Sequence, residues 1–208
     1  TTLFRLNLYS MNSYIPLLLF CFSTSITPGP NNIMIMMSGA KFGLLKSFPH
    51  YLGICIGFNI MVFLVGLGLG EVFNSLPMLH VIIKYLGTLY MLYLAFSLIR
   101  SNSGISGTNE RSKPLTFIQA VLFQWINPKA WIMAIGVIAT YSLLNVNPVY
   151  QSFIISLIFF LVGLPCIGAW FVFGVGISKY LSSHVHMKIF NVTMGVLLIF
   201  SIILMFLE

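Results

Sequence analysis

Two short polar segments interrupt the apolar stretches of this 208-residue sequence, and both contain proline. Proline cannot continue an α-helix, because it lacks an N–H group and its ring clashes with the preceding turn. The residue before each proline is also pushed away from the helical conformation. Each segment therefore predicts a break between two half-helices. The first segment is Thr27-Pro28-Gly29-Pro30-Asn31-Asn32, and the second is Gln124-Trp125-Ile126-Asn127-Pro128-Lys129.

The residue types at each break predict how the second half-helix begins. Pro30 and Pro128 suit the first position of a new helix, where the missing N–H is not needed. Asn127 suits the capping position just before Pro128. Asn31 and Asn32 can bond backbone groups that the break leaves without partners.

Such a pair of breaks could bind a small zwitterion. The N-terminus of a half-helix offers free N–H groups and the positive end of the helix dipole, which suit a carboxylate. The C-terminus of the opposite half-helix offers carbonyl oxygens, which suit an ammonium group. This chemistry needs no acidic side chain, and the sequence has no Asp and only three Glu, none of them deep in an apolar stretch.

Three further polar side chains fall within apolar stretches and join the candidate site. A lysine at membrane depth is costly and usually functional, so Lys129 is a candidate substrate or gating residue, the alternative being a side chain that reaches the interface. Gln124 and Asn59 could line the site or bond a neighbouring helix. The predicted substrate-binding residues are Thr27, Pro28, Gly29, Pro30, Asn31, Asn32, Asn59, Gln124, Asn127, Pro128 and Lys129.

The elements that carry these residues are apolar stretches long enough to cross a bilayer. Hydrophobic residues make up 59% of the chain and charged residues only 6%, far from the composition of soluble domains. A transmembrane helix needs about 20 mostly apolar residues. The sequence predicts an all-α polytopic membrane protein with six spans, over Tyr14–Met37, Tyr51–Leu69, Val81–Ile99, Phe117–Leu144, Ser152–Val175 and Phe190–Leu207.

The six predicted spans divide into two halves of three. We expect a single transmembrane domain over 1–208, with halves 1–100 and 114–208 joined by the polar, Gly/Ser-rich linker 101–113. Three is an odd number of spans, so a duplicated half would lie inverted in the membrane. Discontinuous helices at spans 1 and 4 of two inverted repeats are the best sequence indication of a transporter's binding site.

The net charge of +7 predicts an orientation rather than a nucleic-acid partner. The basic residues lie singly in loops, mostly in the first, third and fifth, and loops rich in Lys and Arg stay in the cytoplasm. Both termini are therefore expected on the extracytoplasmic side. With no basic stripe and no aromatic platform, nucleic-acid binding is not expected.

The remaining reactive side chains predict neither a cofactor nor a metal site. Cys21, Cys55 and Cys166 lie in apolar stretches without metal-ligand spacing, so we expect buried free thiols. The four histidines lie at the ends of spans and are expected to face solvent or headgroups. Intramembrane proteolysis is disfavoured, because the chain has no Asp, no His-Glu-x-x-His motif and no histidine inside a span. A passive small-solute channel stays open as an alternative function, since broken helices also build filters.

The two proline-containing motifs carry a family resemblance that extends over nearly the whole chain. Thr27-Pro28-Gly29-Pro30-Asn31 and Asn127-Pro128-Lys129-Ala130 resemble the paired signatures of the LysE/RhtB family of bacterial amino-acid exporters. The resemblance implies a secondary transporter of the inner membrane, driven by the proton gradient. It is closest to the branch that exports neutral amino acids such as threonine, homoserine or cysteine derivatives. It implies an amino-acid substrate, protons and the lipid bilayer as partners, and leaves open whether the chain forms a homo-oligomer.

Overall fold

The computed structural model describes residues 2–69, 75, 77–100, 113–142, 147–181 and 183–207. All but one residue of the predicted linker 101–113, all three glutamates and the side chain of His80 lie outside the described part. Within these ranges every regular element is helical, which confirms the predicted all-α class.

The described elements are seven α-helices and three short helical turns of other types. The turns are a π-helical turn at Val65–Leu69 and 3₁₀ turns at Gln124–Ile126 and Ser178–Tyr180. We number the helices in chain order as α1 (Thr2–Ile26), α2 (Pro30–Leu64), α3 (Pro77–Arg100), α4 (Phe117–Phe123), α5 (Pro128–Tyr141), α6 (Pro148–Ile177) and α7 (His184–Leu207).

Helix α2 folds back on itself at Gly43. This residue has φ 77° and ψ 178°, a conformation that is almost restricted to glycine. The hydroxyl of Ser47 donates to the carbonyl of Ser38 at 2.8 Å. In a straight helix, residues nine apart are separated by roughly 13 Å along the axis. The chain must therefore reverse between them, so α2 is a helical hairpin with one arm before Gly43 and one after it.

The described helices present apolar surface on the outside, as a bilayer requires. Large apolar side chains such as Leu19, Leu86 and Leu122 are about 60% exposed. By length and composition alone, three described helices can cross a membrane, over Pro30–Leu69, Pro148–Tyr180 and His184–Ile203. The bent pair Phe117–Ile126 and Pro128–Tyr141 adds a fourth. The first of these ranges contains the reversal at Gly43, which length alone does not reveal.

Glycines allow the helices that carry the site to approach closely. A Cβ atom added at Gly57 of α2 would lie 2.7 Å from the Cα atom of Val121 in α4, and one added at Gly53 would lie 2.5 Å from the carbonyl of Phe117. Between α2 and α6, a Cβ at Gly174 would overlap the carbonyl of Met36. Gly53 and Gly57 therefore allow α2 to pack directly against α4.

A single methyl group at Gly174 should therefore loosen the α2–α6 contact. We expect Gly174→Ala to lower the free energy of unfolding by about 1–3 kcal/mol, because the methyl group meets backbone that cannot move cheaply. Gly176, on the same helix, has open space around its Cα and is the matched control. Gly176→Ala should change stability by less than about 1 kcal/mol. Thermal unfolding in detergent measures both, and equal stability of the two variants would contradict the packing described.

Candidate functional site

The first predicted break is present, between the end of α1 at Ile26 and the start of α2 at Pro30. The side-chain amide of Asn32 donates to the carbonyls of Ser25 (2.7 Å) and Thr27 (2.9 Å). The indole N–H of Trp170 donates to the carbonyl of Ile26 at 2.9 Å. The carbonyl end of α1 is thus bound by side chains, and the prediction that Asn32 bonds free backbone groups is confirmed.

The start of α2 has donors but no cap. Gly29 is extended at the capping position, and no side chain bonds the first-turn N–H groups. The N–H groups of Asn31 and Asn32 have no partner within the helix, as at any helix start. They and the positive end of the helix dipole can therefore bind an anion.

The second predicted break is also present and is capped. A 3₁₀ turn at Gln124–Ile126 leads into Asn127, and the two flanking helical segments meet at 71°. The side-chain oxygen of Asn127 accepts from the N–H of Lys129 at 3.2 Å, and Pro128 is the first residue of α5. The predicted roles of Asn127 and Pro128 at the helix start are confirmed.

The two breaks contact each other directly, although Thr27 and Asn127 lie 100 positions apart in the sequence. The amide of Asn31 donates to Gln124 Oε1 at 2.7 Å, and Gln124 Nε2 donates back to Asn31 Oδ1 at 3.2 Å. Lys129 Nζ donates to Thr27 Oγ1 at 2.8 Å, to the carbonyl of Thr27 at 3.1 Å and to the carbonyl of Pro28 at 3.0 Å. Side chains of the second break therefore supply hydrogen-bond partners to the first.

A cavity lies between the breaks, and one wall of it is polar. Seven of the predicted residues line it, namely Gly29, Pro30, Asn31, Asn32, Asn59, Asn127 and Lys129. Thr24 and Ser25 of α1, which were not predicted, also line it. Apolar residues make up most of the remaining lining and form its apolar wall, which includes Phe58, Phe159, Phe160, Leu164 and Ile167. The lining of the cavity therefore combines polar and apolar side chains.

The other predicted residues lie around this cavity. Thr27 and Pro28 line a second cavity on the far side of Lys129. Gln124 is fully buried behind the polar wall, where it bonds Asn31 and the carbonyl of Ala120. Pro128 is buried against α3, since a Cβ atom added at Gly87 would lie 2.6 Å from its Cδ atom.

Asn59 carries an unused acceptor at the cavity. Among the buried side-chain nitrogen and oxygen atoms in the described part of the chain, only its Oδ1 atom has no hydrogen-bond partner. A buried polar atom without a partner costs free energy, typically 1–3 kcal/mol. The position can be satisfied by a donor that enters the cavity.

The charge distribution in the cavity favours an anionic group near α2. Lys129 is the one charged residue among the described lining residues. Its ammonium group and the uncapped start of α2 lie on the same polar wall. A carboxylate there is attracted by both.

Some cavity residues were missed by the sequence analysis, and one histidine was placed wrongly. Thr24 and Ser25 lie within one turn before the first break, so their spacing could have indicated them. His50 was expected to face solvent or headgroups, but it is only 2% exposed and Nδ1 lies 2.9 Å from the hydroxyl of Ser38. That pairing depends on the reversal at Gly43. His184 and His186 are exposed as expected, and the three cysteines are buried free thiols as expected.

An all-helical, apolar chain with two broken helices that share a cavity has the architecture of a membrane translocator. The comparisons with known proteins agree, because residues 22–206 match the model of the LysE type translocator family. The chain belongs to that family. The expectation of a transport protein rather than an enzyme is thereby confirmed.

Several curated proteins are similar to the chain. A leucine efflux protein of Enterobacter sp. (strain 638) is 27% identical over 135 residues, which is 62% of this chain and 64% of that protein, just under two thirds of its length. The uncharacterized membrane protein YrhP of Bacillus subtilis (strain 168) is 26% identical over 92% of this chain and 96% of its own length. A cysteine/O-acetylserine efflux protein of Salmonella typhimurium is 26% identical over 67% of this chain and 71% of its own length. No solved structure matches the chain.

The amide pair of Asn31 and Gln124 should couple the two breaks energetically. We expect a double-mutant cycle of Asn31→Ala and Gln124→Ala to give a coupling free energy of about 0.6 kcal/mol or more, up to about 1.7 kcal/mol, which are the average and the maximum for hydrogen bonds between membrane helices. Unfolding of the four proteins in detergent measures it. Additive effects of the two substitutions would mean that the breaks do not hold each other. As a control, Ser23→Ala removes an exposed hydroxyl that bonds only its own helix.

Proposed function

We propose that this protein is a secondary transporter that exports neutral amino acids or close derivatives from a bacterial cell. The observation that supports this best is the cavity shared by the two breaks, with an uncapped helix start and an ammonium group on its polar wall. The names of two similar proteins, the leucine and the cysteine/O-acetylserine efflux proteins, agree with an amino-acid substrate.

The polar wall supplies both halves of a zwitterion site. The substrate carboxylate binds the N–H groups of Asn31 and Asn32 at the start of α2, where the helix dipole favours an anion. The substrate ammonium binds oxygen atoms, for which the unpartnered Oδ1 of Asn59 is available and the carbonyls of Thr27 and Pro28 become available when Lys129 leaves them. In this proposal all eleven predicted residues serve the site, directly or by holding the breaks.

The apolar wall, and a sequence in which none of the three glutamates falls within a predicted span, support a neutral substrate side chain. A lysine or arginine side chain in the cavity would require a counter-charge, and none lies among the described lining residues. An uncharged side chain can instead pack against Phe58 and Phe159. Leucine is therefore a suitable first test substrate, with threonine, homoserine and cysteine as smaller alternatives.

The architecture proposed for transport is one domain over 1–208, with six spans in two inverted halves joined by the linker 101–113. Two pairs of contacts support it. Gly53 and Gly57, after the reversal in α2, pack against α4, which precedes the second break. In the other half, α6 packs against α1, which precedes the first break. The halves therefore make equivalent contacts around the two breaks.

The proposed location is the bacterial inner membrane, with both termini outside the cytoplasm and the proton gradient as the driving force. The location of the basic residues supports the orientation, because Lys41 and Lys46 flank the reversal in α2 and Lys179 lies between α6 and α7. Fusion of a reporter that is active only outside the cytoplasm tests the orientation. Activity of a fusion at the reversal rather than at the C-terminus would overturn it.

Transport by purified protein in liposomes tests the function and its main alternative. Liposomes loaded with leucine should release it faster with an imposed pH gradient than without one. Release that saturates and shows counterflow indicates a carrier, whereas a channel shows neither. Release of no amino acid from a panel of neutral and charged ones would overturn the proposal.

The cap of the second break should be essential for transport. Asn127→Ala removes a buried cap that holds Lys129 and α5 in place. We therefore expect leucine efflux to fall to the level of leucine-loaded liposomes without protein. The matched control is Asn147→Ala, because Asn147 caps α6 through Val149 and Tyr150 and is also followed by proline. Each substitution should cost about 1 kcal/mol of stability.

Only Asn127→Ala should abolish efflux, since Asn147 is exposed and does not line the cavity. Membrane insertion of both variants is checked from the amount of protein in the membrane fraction. Wild-type efflux by Asn127→Ala, or equal loss in both variants, would show that the second break is not part of the site.

A further inference from the structure

The side chain of Lys129 occupies a position that chemically matches a substrate's own amino group. We propose that, without substrate, the Lys129 ammonium fills the ammonium subsite at the carbonyl end of α1, and that the substrate ammonium displaces it. This inference rests on the proposed function and adds that the Lys129 ammonium competes with the substrate ammonium for one subsite. Lys129 then acts as a gate whose release depends on an incoming amine.

The contacts of Lys129 show the chemistry of the subsite. Its Nζ atom lies within 2.8–3.1 Å of three oxygen atoms, which belong to Thr27 and Pro28. None of them carries a charge. These three contacts are hydrogen bonds to neutral acceptors beside the negative end of the α1 dipole, and the same atoms could hold an α-amino group.

The contact of Lys129 with Thr27 and Pro28 separates two cavities. The cavity described above and the second cavity share three lining residues, Thr24, Lys129 and Met133. The second cavity continues along α1 and α5 and reaches Ser201 of α7. The bridge from Lys129 to Thr27 and Pro28 therefore lies between the two cavities. When it opens, the cavities can join.

The carboxylate of the substrate supplies a reason for Lys129 to leave. The start of α2 is uncapped at Gly29, and the lysine stem runs over that residue, since a Cβ atom added there would lie 2.8 Å from Lys129 Cδ. A carboxylate bound at this helix start lies beside the lysine and attracts its charge. The lysine can move to the carboxylate while the substrate ammonium takes the carbonyl oxygens. Both ammonium groups, that of Lys129 and that of the substrate, then have partners in the site.

A second lysine in the same protein provides the control. Lys188 of α7 donates from Nζ to the carbonyl of Ile99 at 2.7 Å, near the C-terminus of α3. It therefore makes the same kind of contact as Lys129, with the end of a helix. It lines neither cavity. A lysine that only stabilises a helix end is expected to behave like Lys188.

Two half-substrates distinguish the roles of Lys129. Isopentylamine carries the ammonium and the leucine-like side chain without a carboxylate, and 4-methylpentanoate carries the carboxylate without an ammonium. Binding of each probe, and of leucine, is measured by calorimetry on wild-type protein, Lys129→Met and Lys188→Met in lipid nanodiscs. We expect Lys129→Met to bind isopentylamine about tenfold more tightly than wild type, because the competitor is gone. It should bind 4-methylpentanoate more weakly, and Lys188→Met should match wild type for both probes.

A second variant keeps the test open if Lys129→Met does not fold. Gly29→Ala retains the lysine but places a methyl group against its stem, and the extended backbone at Gly29 accepts alanine. It should also bind isopentylamine more tightly than wild type, whereas Gly176→Ala should not. The prediction for Gly29→Ala concerns the amine probe alone, since its new methyl group also lies close to the carboxylate position.

The outcomes separate this inference from the proposed function. Unchanged or weaker binding of isopentylamine by Lys129→Met or Gly29→Ala, in a protein whose wild type binds leucine, overturns the competitor role and leaves the exporter proposal standing. An equal gain in Lys188→Met overturns it as well, because the effect would then be unrelated to the subsite. If wild-type protein binds and transports no amino acid at all, the proposed function itself fails.

Discussion

The structure depends on one constraint, which is that backbone groups at a broken membrane helix must find partners away from lipid. At the first break these partners come from elsewhere in the chain. Asn32 and Trp170 bind the carbonyls that end α1, and Lys129 binds those of Thr27 and Pro28. At the second break Asn127 caps α5 locally. Of the two half-helix starts at the breaks, that of α5 is capped and that of α2 is not, and we propose that the uncapped start binds the substrate.

The same constraint explains why the helices must approach so closely. Side chains from one break reach the other only if α2 lies directly against α4 and α6, and glycines at positions 53, 57 and 174 permit this approach. The Asn31–Gln124 pair then fixes the distance between the breaks. A carrier of this kind needs a contact between its halves that can open. The Lys129 bridge is a better candidate for that contact than the buried amide pair, because Lys129 lines both cavities and Gln124 lines neither.

Much of the site could be predicted from sequence because proline and asparagine act locally. The breaks, the cap at Asn127 and the role of Asn32 follow from backbone chemistry within a few residues of each proline. The reversal at Gly43 falls between the first two predicted spans, which end at Met37 and begin at Tyr51, so a turn in this interval was expected. The contacts made across it, including the burial of His50 against Ser38, were not expected, because span bounds do not show which side chains meet at a turn. The pairing of Asn31 with Gln124 and the apolar wall around Phe159 are formed by segments far apart in the chain. Such contacts cannot be read from a single sequence.

The proposed transport site depends on a substrate carboxylate that binds the uncapped start of α2 between the two breaks. The most direct test is solid-state NMR dipolar recoupling between leucine labelled with ¹³C at its carboxyl group and protein labelled with ¹⁵N at the asparagine backbone, in lipid. The account predicts dephasing of the carboxyl signal by the amide nitrogens of Asn31 and Asn32. That dephasing should disappear when excess unlabelled leucine displaces the ligand. Bound leucine whose carboxyl signal shows no dephasing would contradict the account, because the carboxylate would then lie away from the break.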